Sequence, residues 1–579
     1  MPAEPTSQPR GATLGIGRVD IAALGPGVIA FAALVLLAVK DGGYSATAWY
    51  LAALYLLALL VVVTVGSRGR ILRLSRPATA AVAFMAAFTA WSFASIWWAG
   101  VKGDAWDGAN RTLLYLIVFT LFAALPWRTV SGVAILMVFV LATTALGLVV
   151  FVRAGVVGNP QPYFIGTRFS SPTGYQNANA ALFMTPVLVR GVMLASAAFL
   201  VELAILGQSR GWLYATPVVI LLYLAVVPRR VRSLFALGVV GAATALAWQK
   251  VSDVFDAVGP AHLRSAMRDT WPTLGISCAV LCAIGLVWGL TDRRIRLSAN
   301  VEAWTGRVVG TACVVAAALL LTFSFTTWHA SHRIHRAWHQ FTSEHPKTGV
   351  SSHFSSGLGG GRYDFWRVAL AEFKARPIGG VGADNFALGY LEKRKTTEEP
   401  LYPHSVELRI LAGTGAVGGA LFLGFLLSAL AGAASVWRSR AHDALGKGVV
   451  AAAVVTFGYW WIHGSVDWFW EFPGLGGAAF AWLGLAAGLA RAPAGDARER
   501  TARPWVRRVA VVAGAAVTVF AIASFVPPWL SAREVATATD TWRADPGAAF
   551  DRLSRARTLN FLSDRPNLVA GAIASRVRD

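Results

Sequence analysis

The chain is 579 residues long, 56% hydrophobic and only 14% charged, with a formal net charge of +22. Soluble globular proteins carry nearly twice that charged fraction, so composition excludes that class and predicts an all-α polytopic membrane protein. The arginines sit in short segments between apolar runs, where they act as a topology signal near anionic lipid, and nucleic-acid binding is not expected.

The first 20 residues are polar, and 22–39 reads as a first span rather than a cleaved leader. Further windows long enough for a hydrocarbon core of roughly 30 Å fall at 46–66, 78–99, 110–126, 131–152, 177–191, 193–208, 211–228, 233–249, 271–290, 306–327, 405–436, 446–465, 473–490 and 507–527, about fifteen in all. The sixth and seventh are short, which fits tilted, re-entrant or protein-shielded segments.

Basic clusters follow the second window (Arg68, Arg70, Arg73, Arg76), the fourth (Arg128), the eighth (Arg229, Arg230, Arg232), the tenth (Arg293, Arg294, Arg296) and the twelfth (Arg438, Arg440). Another lies between the fourteenth and fifteenth (Arg498, Arg500, Arg503, Arg507, Arg508). With fifteen crossings all of them share one side, which the positive-inside rule makes cytoplasmic. The loops at 153–176, 250–270 and 328–404 are then extracytoplasmic, as is the C-terminal tail. Four regions are expected: N-terminal transmembrane helices (1–327), one large extracytoplasmic catalytic loop of short helices (328–404), C-terminal transmembrane helices (405–527) and a small helical tail (528–579). Cys278, Cys282 and Cys313 fall inside spans, where they read as small buried hydrophobes.

Chemistry is expected where spans meet water, because ionisable groups are costly within lipid. Three clusters stand at that boundary. Gln208-Ser209-Arg210-Gly211 closes the seventh window, and the forked guanidinium of Arg210 suits phosphate oxygens. Arg362 follows three glycines, 359–361, which permit close backbone approach to a ligand. Its helical register with Trp366 and Phe373 ends at Pro377 and the glycines 379, 380 and 382. Tyr402-Pro403-His404-Ser405 opens the twelfth span. It places His404 in that helix's first turn, where a neutral imidazole can take a proton.

Taken in order, these elements resemble the O-antigen ligase and polymerase family. The resemblance rests on Gly361-Arg362-x3-Trp366, Pro377-x-Gly379-x2-Gly382-x3-Phe386, His404-Ser405-x2-Leu408 and Gly415-x2-Gly418. Gly166-Thr167, Tyr175-Gln176-Asn177-Ala178-Asn179-Ala180 and Ser209-Arg210-Gly211 come earlier in the chain. The match covers roughly 160–490. It implies a GT-C-like glycosyltransferase that moves a glycan from an undecaprenyl-diphosphate carrier to an acceptor hydroxyl of a lipid, glycan or protein. That activity would lie on the extracytoplasmic face of the bacterial plasma membrane, in surface polysaccharide assembly. The resemblance assigns diphosphate binding to Arg210 and Arg362 and the role of base, or of acceptor positioning, to His404. Trp366, Glu407, Asn177 and Asn179 are supporting candidates, with Glu407 placed to orient the imidazole. Two departures from the family pattern matter: many members carry a glutamate where this chain has Gly413, and the spacing from Asn177 to Arg210 is shorter than usual.

No cofactor is implied, and the expected reaction is metal-independent and inverting. Asp104 and Asp107 offer a weaker acidic pair, and His329, His332, His335 and His339 share a helical arc that reads, with Arg333 and Arg336, as a polar face against headgroups or carrier phosphate, a transition-metal site being the lesser alternative. A polymerase of the same family and, from another class, a lipid-linked glycan transporter are the competing readings. The transporter is disfavoured because no internal repeat is evident. Residues 531–579 resemble little more than one tetratricopeptide-type repeat, too little to bury its own face, so the tail is expected to dock on the large loop or recruit a protein partner.

Overall fold

The computed structural model describes residues 21–292 apart from 68, 70–73 and 185–193, separate positions between 304 and 342, and 361–578 apart from 440–441 and 491–503. The helices in chain order are α1 (Ile21–Val39), α2 (Ala46–Gly66), α3 (Arg76–Ala94), α4 (Lys102–Ala124), α5 (Thr129–Val156), α6 (Gln176–Met184), α7 (Leu194–Leu206), α8 (Arg210–Val226), α9 (Arg230–Asp256) and α10 (Pro260–Asp292). After the central segment come α11 (Arg362–Ala375), α12 (Phe386–Lys393), α13 (Val406–Arg438), α14 (Ala444–Gly464), α15 (Pro473–Gly488), α16 (Pro504–Thr541), α17 (Pro546–Leu559) and α18 (Arg565–Arg578). One small antiparallel ribbon departs from the all-helical expectation: Phe164–Ile165 pairs with Arg168–Phe169.

Nine helices among the described residues are long and apolar enough to cross a bilayer. The windows at 110–126, 177–191, 193–208, 211–228 and 473–490 correspond to helices that are shorter or more polar, and 306–327 lies largely outside the described residues. All nine residues of α6 are buried, as a short segment sheltered by protein requires. Residues 250–270, expected as a loop, are instead the ends of α9 and α10 around a turn at Gly259. Their polar residues mimic a loop because helix ends that reach water are themselves polar. Cys278 is half-buried and Cys282 exposed on α10, contrary to the buried expectation, because that helix shows much of its surface to the surroundings; Cys313 lies outside the described residues.

The core forms where backbones come close. Every residue of α15 is buried, and it lies along α4. A Cβ at Gly484 would stand 2.6 Å from the carbonyl oxygen of Phe119, so small residues set this spacing, as they do between membrane helices generally.

Helix α13 is broken. Gly415 has φ 66° and ψ −168°, and the turn 377–382 plugs the gap. Val381 N–H donates to Ala412 O (2.8 Å) and Gly382 N–H to Gly413 O (2.9 Å), while Ala416 N–H donates to Pro377 O (2.7 Å). Trp91 Nε1 donates to the carbonyl of Thr414 at 2.9 Å. Every backbone group freed by the break must be satisfied when it is away from water, and these bonds do so. A Cβ at Gly415 would overlap the carbonyl of Ile378, and one at Gly413 would lie 3.1 Å from Gly382 O. The two glycine motifs are therefore halves of one joint. Gly413 lies inside the contact.

Asn385 ties the same turn to the start of α4: its Oδ1 accepts from Val101 N–H (2.6 Å) and its Nδ2 donates to Val101 O (3.0 Å). On the opposite side, α11 and α12 bury Glu372, which is 1% exposed, with neither carboxylate oxygen hydrogen-bonded among the described residues. Burial raises its pKa to about 8; Lys393 opposes the shift and Glu392 adds to it. The folded loop therefore holds a proton that the unfolded chain releases near the ordinary carboxyl value. Stability should be greatest at low pH and fall as pH rises from about 4.5 through 8. Thermal unfolding of wild type and Glu372→Gln across that window checks this. The wild type should lose melting temperature relative to the variant, and parallel curves would refute it.

The tail buries a face on itself: Val535, Ala538, Leu553, Ala556 and Ile573 cluster. Helix α16 runs through the expected boundary at 528, so the tail is continuous with the preceding apolar helix. The turn between α17 and α18 docks on the start of α4, where Phe561 meets Trp106 (ring centroids 6.2 Å apart) and Gly103 leaves room for Ser563.

Candidate active site

Ser209 caps α8, its Oγ accepting from Trp212 N–H at 3.1 Å, which puts Arg210 at the first helical position. His463, fully buried at the end of α14, fixes this turn. Its Nε2 lies 3.4 Å from Ser209 Oγ and its Nδ1 3.1 Å from Tyr459 OH. Gly211 makes the approach possible, since a Cβ there would overlap the imidazole.

Arg362 opens α11 after Gly361, whose φ of 73° is the left-handed conformation that glycine adopts without strain. Its Nη2 lies 3.3 Å from Asp467 Oδ2. Asp467 is 0% exposed and collects further donors: Asn177 Nδ2 (2.6 Å), Tyr175 OH (3.0 Å) and Trp468 N–H (2.9 Å). A carboxylate held from so many directions is a rigid anchor for one arm of the guanidinium.

His404 is not in the first turn of α13. Ser405 is the N-cap, its Oγ 3.4 Å from Leu408 N, so His404 stands one residue outside with φ 54°. Capping by serine wins over the helical start expected after Pro403. A left-handed non-glycine residue is an outlier of the kind that clusters at functional sites. Its Nδ1 is 3.0 Å from Tyr402 O. A carbonyl only accepts, so Nδ1 carries the proton and Nε2 is left as the basic atom. Burial lowers the His404 pKa below its ordinary 6.5; Arg362 pushes the same way and Asp467 opposes.

Arg210, Arg362 and His404 line one cavity of about 270 Å³ together with Phe365, Glu398, Glu399 and Pro400. Arg210 Nη1 is buried without a hydrogen-bond partner among the described residues. A buried donor of that kind is rare in folded proteins, and an anionic ligand would satisfy it. A third arginine joins the field: Arg168, on the second strand of the ribbon, interacts electrostatically with Arg210, Arg362, Asp467 and Tyr175.

The other candidates have structural partners. Trp366 donates from Nε1 to His404 O at 3.4 Å. Asn177 belongs to the Asp467 anchor, whereas Asn179 reaches Phe169 O at 3.4 Å and so braces the ribbon. Glu407 does not orient the imidazole. Its carboxylate accepts from Ser405 Oγ (3.0 Å) and Ser465 Oγ (2.7 Å), and the Tyr402 carbonyl takes the role assigned to it. Asp107 accepts from Tyr50 OH at 2.5 Å, outside the residues lining the cavity. His335 and His339 stack with centroids 4.7 Å apart, and His329 and His332 lie outside the described residues. Among the described residues no three His, Cys, Asp or Glu side chains are grouped to hold a metal ion.

Arg168, His463 and Asp467 are residues that sequence reasoning passed over. The available signal was a histidine and an aspartate four apart at the end of an apolar span, where polar groups are rare and functional by default. A second missed constellation lies just behind. Arg111 and Arg409 alternate with Asp384 and Glu471 in a buried ring, with Arg111–Asp384 at 2.9 Å and Arg409–Glu471 at 2.8 Å; contacts from Arg111 to Glu471 and from Arg409 to Asp384 close it.

Residues 272–423 match the family model described as O-Antigen ligase. No curated protein matches the chain. The matched stretch contains Arg362, Trp366, His404 and both halves of the glycine joint, while Arg168, Arg210 and Asp467 lie outside it. Over residues 272–423, about a quarter of its length, the chain is therefore similar to the O-antigen ligase family.

Proposed function

We propose that the protein is a membrane glycosyltransferase that moves a glycan from an undecaprenyl-diphosphate carrier to an acceptor hydroxyl, with its site on the extracytoplasmic face. The observation that carries this reading is the shared cavity of Arg210, Arg362 and His404, residues far apart in the chain. Breaking a sugar–diphosphate bond builds negative charge on the departing diphosphate and positive charge at the anomeric carbon. Preorganised guanidinium groups stabilise that leaving group in place, and each such donor is typically worth about 2.7–4 kcal/mol of barrier. Arg210 and Arg362 hold the diphosphate, and Arg168 adds to their field. His404, with Nε2 unprotonated, takes the proton of the attacking hydroxyl, a contribution of roughly 10²–10⁴ in rate. Direct displacement inverts the anomeric centre. The arginines supply the charge that a divalent metal would otherwise provide, so transfer should persist in EDTA.

The test is transfer from a synthetic undecaprenyl-diphosphate glycan by the full chain in nanodiscs. His404→Gln should lose at least about a hundredfold in kcat while still binding undecaprenyl diphosphate. The wild-type profile of kcat/KM should rise with pH through a pKa below 6.5, the direction in which burial moves His404. A variant with near-wild-type kcat, or an acid limb above 6.5, would remove His404 from the chemistry.

A further inference from the structure

The cavity is lined by charges of both signs. Arg210 and Arg362 contribute cations, whereas Glu398, Glu399 and Pro400 enter from the strap that links α12 to α13. Glu399 is held from outside by Arg394 Nη1 at 2.8 Å. Glu398 makes no ion pair among the described residues, although it lines the same space as two arginines. Its Oε2 rests against Gly361, where a Cβ would come within 2.6 Å. The residue that frees the start of α11 for Arg362 thus also makes room for this carboxylate. Phe365 adds an apolar surface to the same lining.

A pyrophosphate alone satisfies the two arginines and leaves the Glu398 carboxylate without a donor. A ligand that satisfies both kinds of group carries negative charge for the arginines and hydroxyl donors for the carboxylate. Ionised carboxylates accept hydrogen bonds only, and bonds to them from sugar hydroxyls are stronger than neutral ones. We propose that Glu398 is a specificity-determining residue that binds hydroxyls of an uncharged sugar and rejects a sugar carrying phosphate or carboxylate there. The hydroxyls come either from the sugar next to the carrier diphosphate or from the acceptor. This inference rests on the diphosphate reading above, and the experiment separates the two.

Full-length wild type, Glu398→Gln and Arg362→Ala are compared in nanodiscs by binding of undecaprenyl diphosphate, of undecaprenyl diphosphate bearing one N-acetylhexosamine, and of methyl β-glucopyranoside or its 6-phosphate to protein preloaded with undecaprenyl diphosphate. Glu398→Gln should bind the bare carrier at least as tightly as wild type and should melt at the same temperature, the side chain being exposed. It should lose about tenfold or more in affinity for the sugar-bearing carrier if the donor sugar is the partner, or for the neutral glycoside if the acceptor is. Wild type should bind the phosphorylated glycoside at least about tenfold more weakly than the neutral one, and Glu398→Gln should narrow that gap. Unchanged affinities for both sugar probes, or equal wild-type binding of the neutral and phosphorylated glycosides, overturn the role of Glu398 and leave the arginine grip standing. Failure of Arg362→Ala to weaken binding of the bare carrier overturns the grip and the inference built on it.

Discussion

Arg362→Lys is expected to lose nearly as much transfer activity as Arg362→Ala, about a hundredfold or more in kcat/KM. One Nη of Arg362 is committed to Asp467 at 3.3 Å, and the cavity-facing donors of the same rigid fork are what remain for a diphosphate. An ammonium is a compact point charge on a flexible stem and cannot reach the buried carboxylate and two phosphoryl oxygens at fixed separation. The measurement is transfer kinetics for both variants beside wild type, with melting temperatures to confirm folding. Lysine activity within a few-fold of wild type would show that charge alone suffices and would sink the proposed fork.

Glu471→Gln should produce the largest loss of stability. Glu471 is 0% exposed and accepts from both Arg111 and Arg409, each guanidinium also lying near a tryptophan ring, Trp49 at 5.4 Å and Trp470 at 5.0 Å. Neutralising one acid leaves two buried cations facing a single carboxylate, Asp384. Breaking a buried network this way typically costs about 3–5 kcal/mol. The effect should also reach the site, because the ring fastens α4, the 377–386 turn, the start of α13 and the segment after Asp467. Unfolding in detergent, followed by denaturant titration of wild type and variant, checks this. Coincident midpoints would mean that the ring contributes nothing net. The double replacement Glu471→Leu with Arg409→Leu should cost less than the sum of the single changes, since both partners leave together.

The long apolar helices were legible because hydrophobicity sustained over the width of a bilayer exceeds what a soluble core helix needs. The polar segment with Arg362 and His404 was legible for the complementary reason, since charge next to spans stands out. Register at element ends was less so. His404 falls outside α13 because Ser405 outcompetes it as a cap, a choice that depends on a single hydroxyl. The α9–α10 turn was hidden because helix ends that protrude into water look like loops. What the sequence hid most completely were partnerships across hundreds of residues. Arg111 and Glu471 are 360 positions apart, and Asn177 and Asp467 are 290 apart. Neither local propensity nor periodicity carries information about such pairs. Glu407, adjacent to the site in sequence, was correspondingly overvalued: proximity along the chain stood in for geometry, and the serines claimed its carboxylate.

The break at Gly415 has a consequence for recombination among related chains. A donor segment carrying 377–382 without 412–417 would bring a plug whose socket has a different shape, and the stranded amides and carbonyls would be buried without partners. Exchange should therefore succeed only when both halves travel together as one cassette, roughly 377–418, with His404 carried inside it.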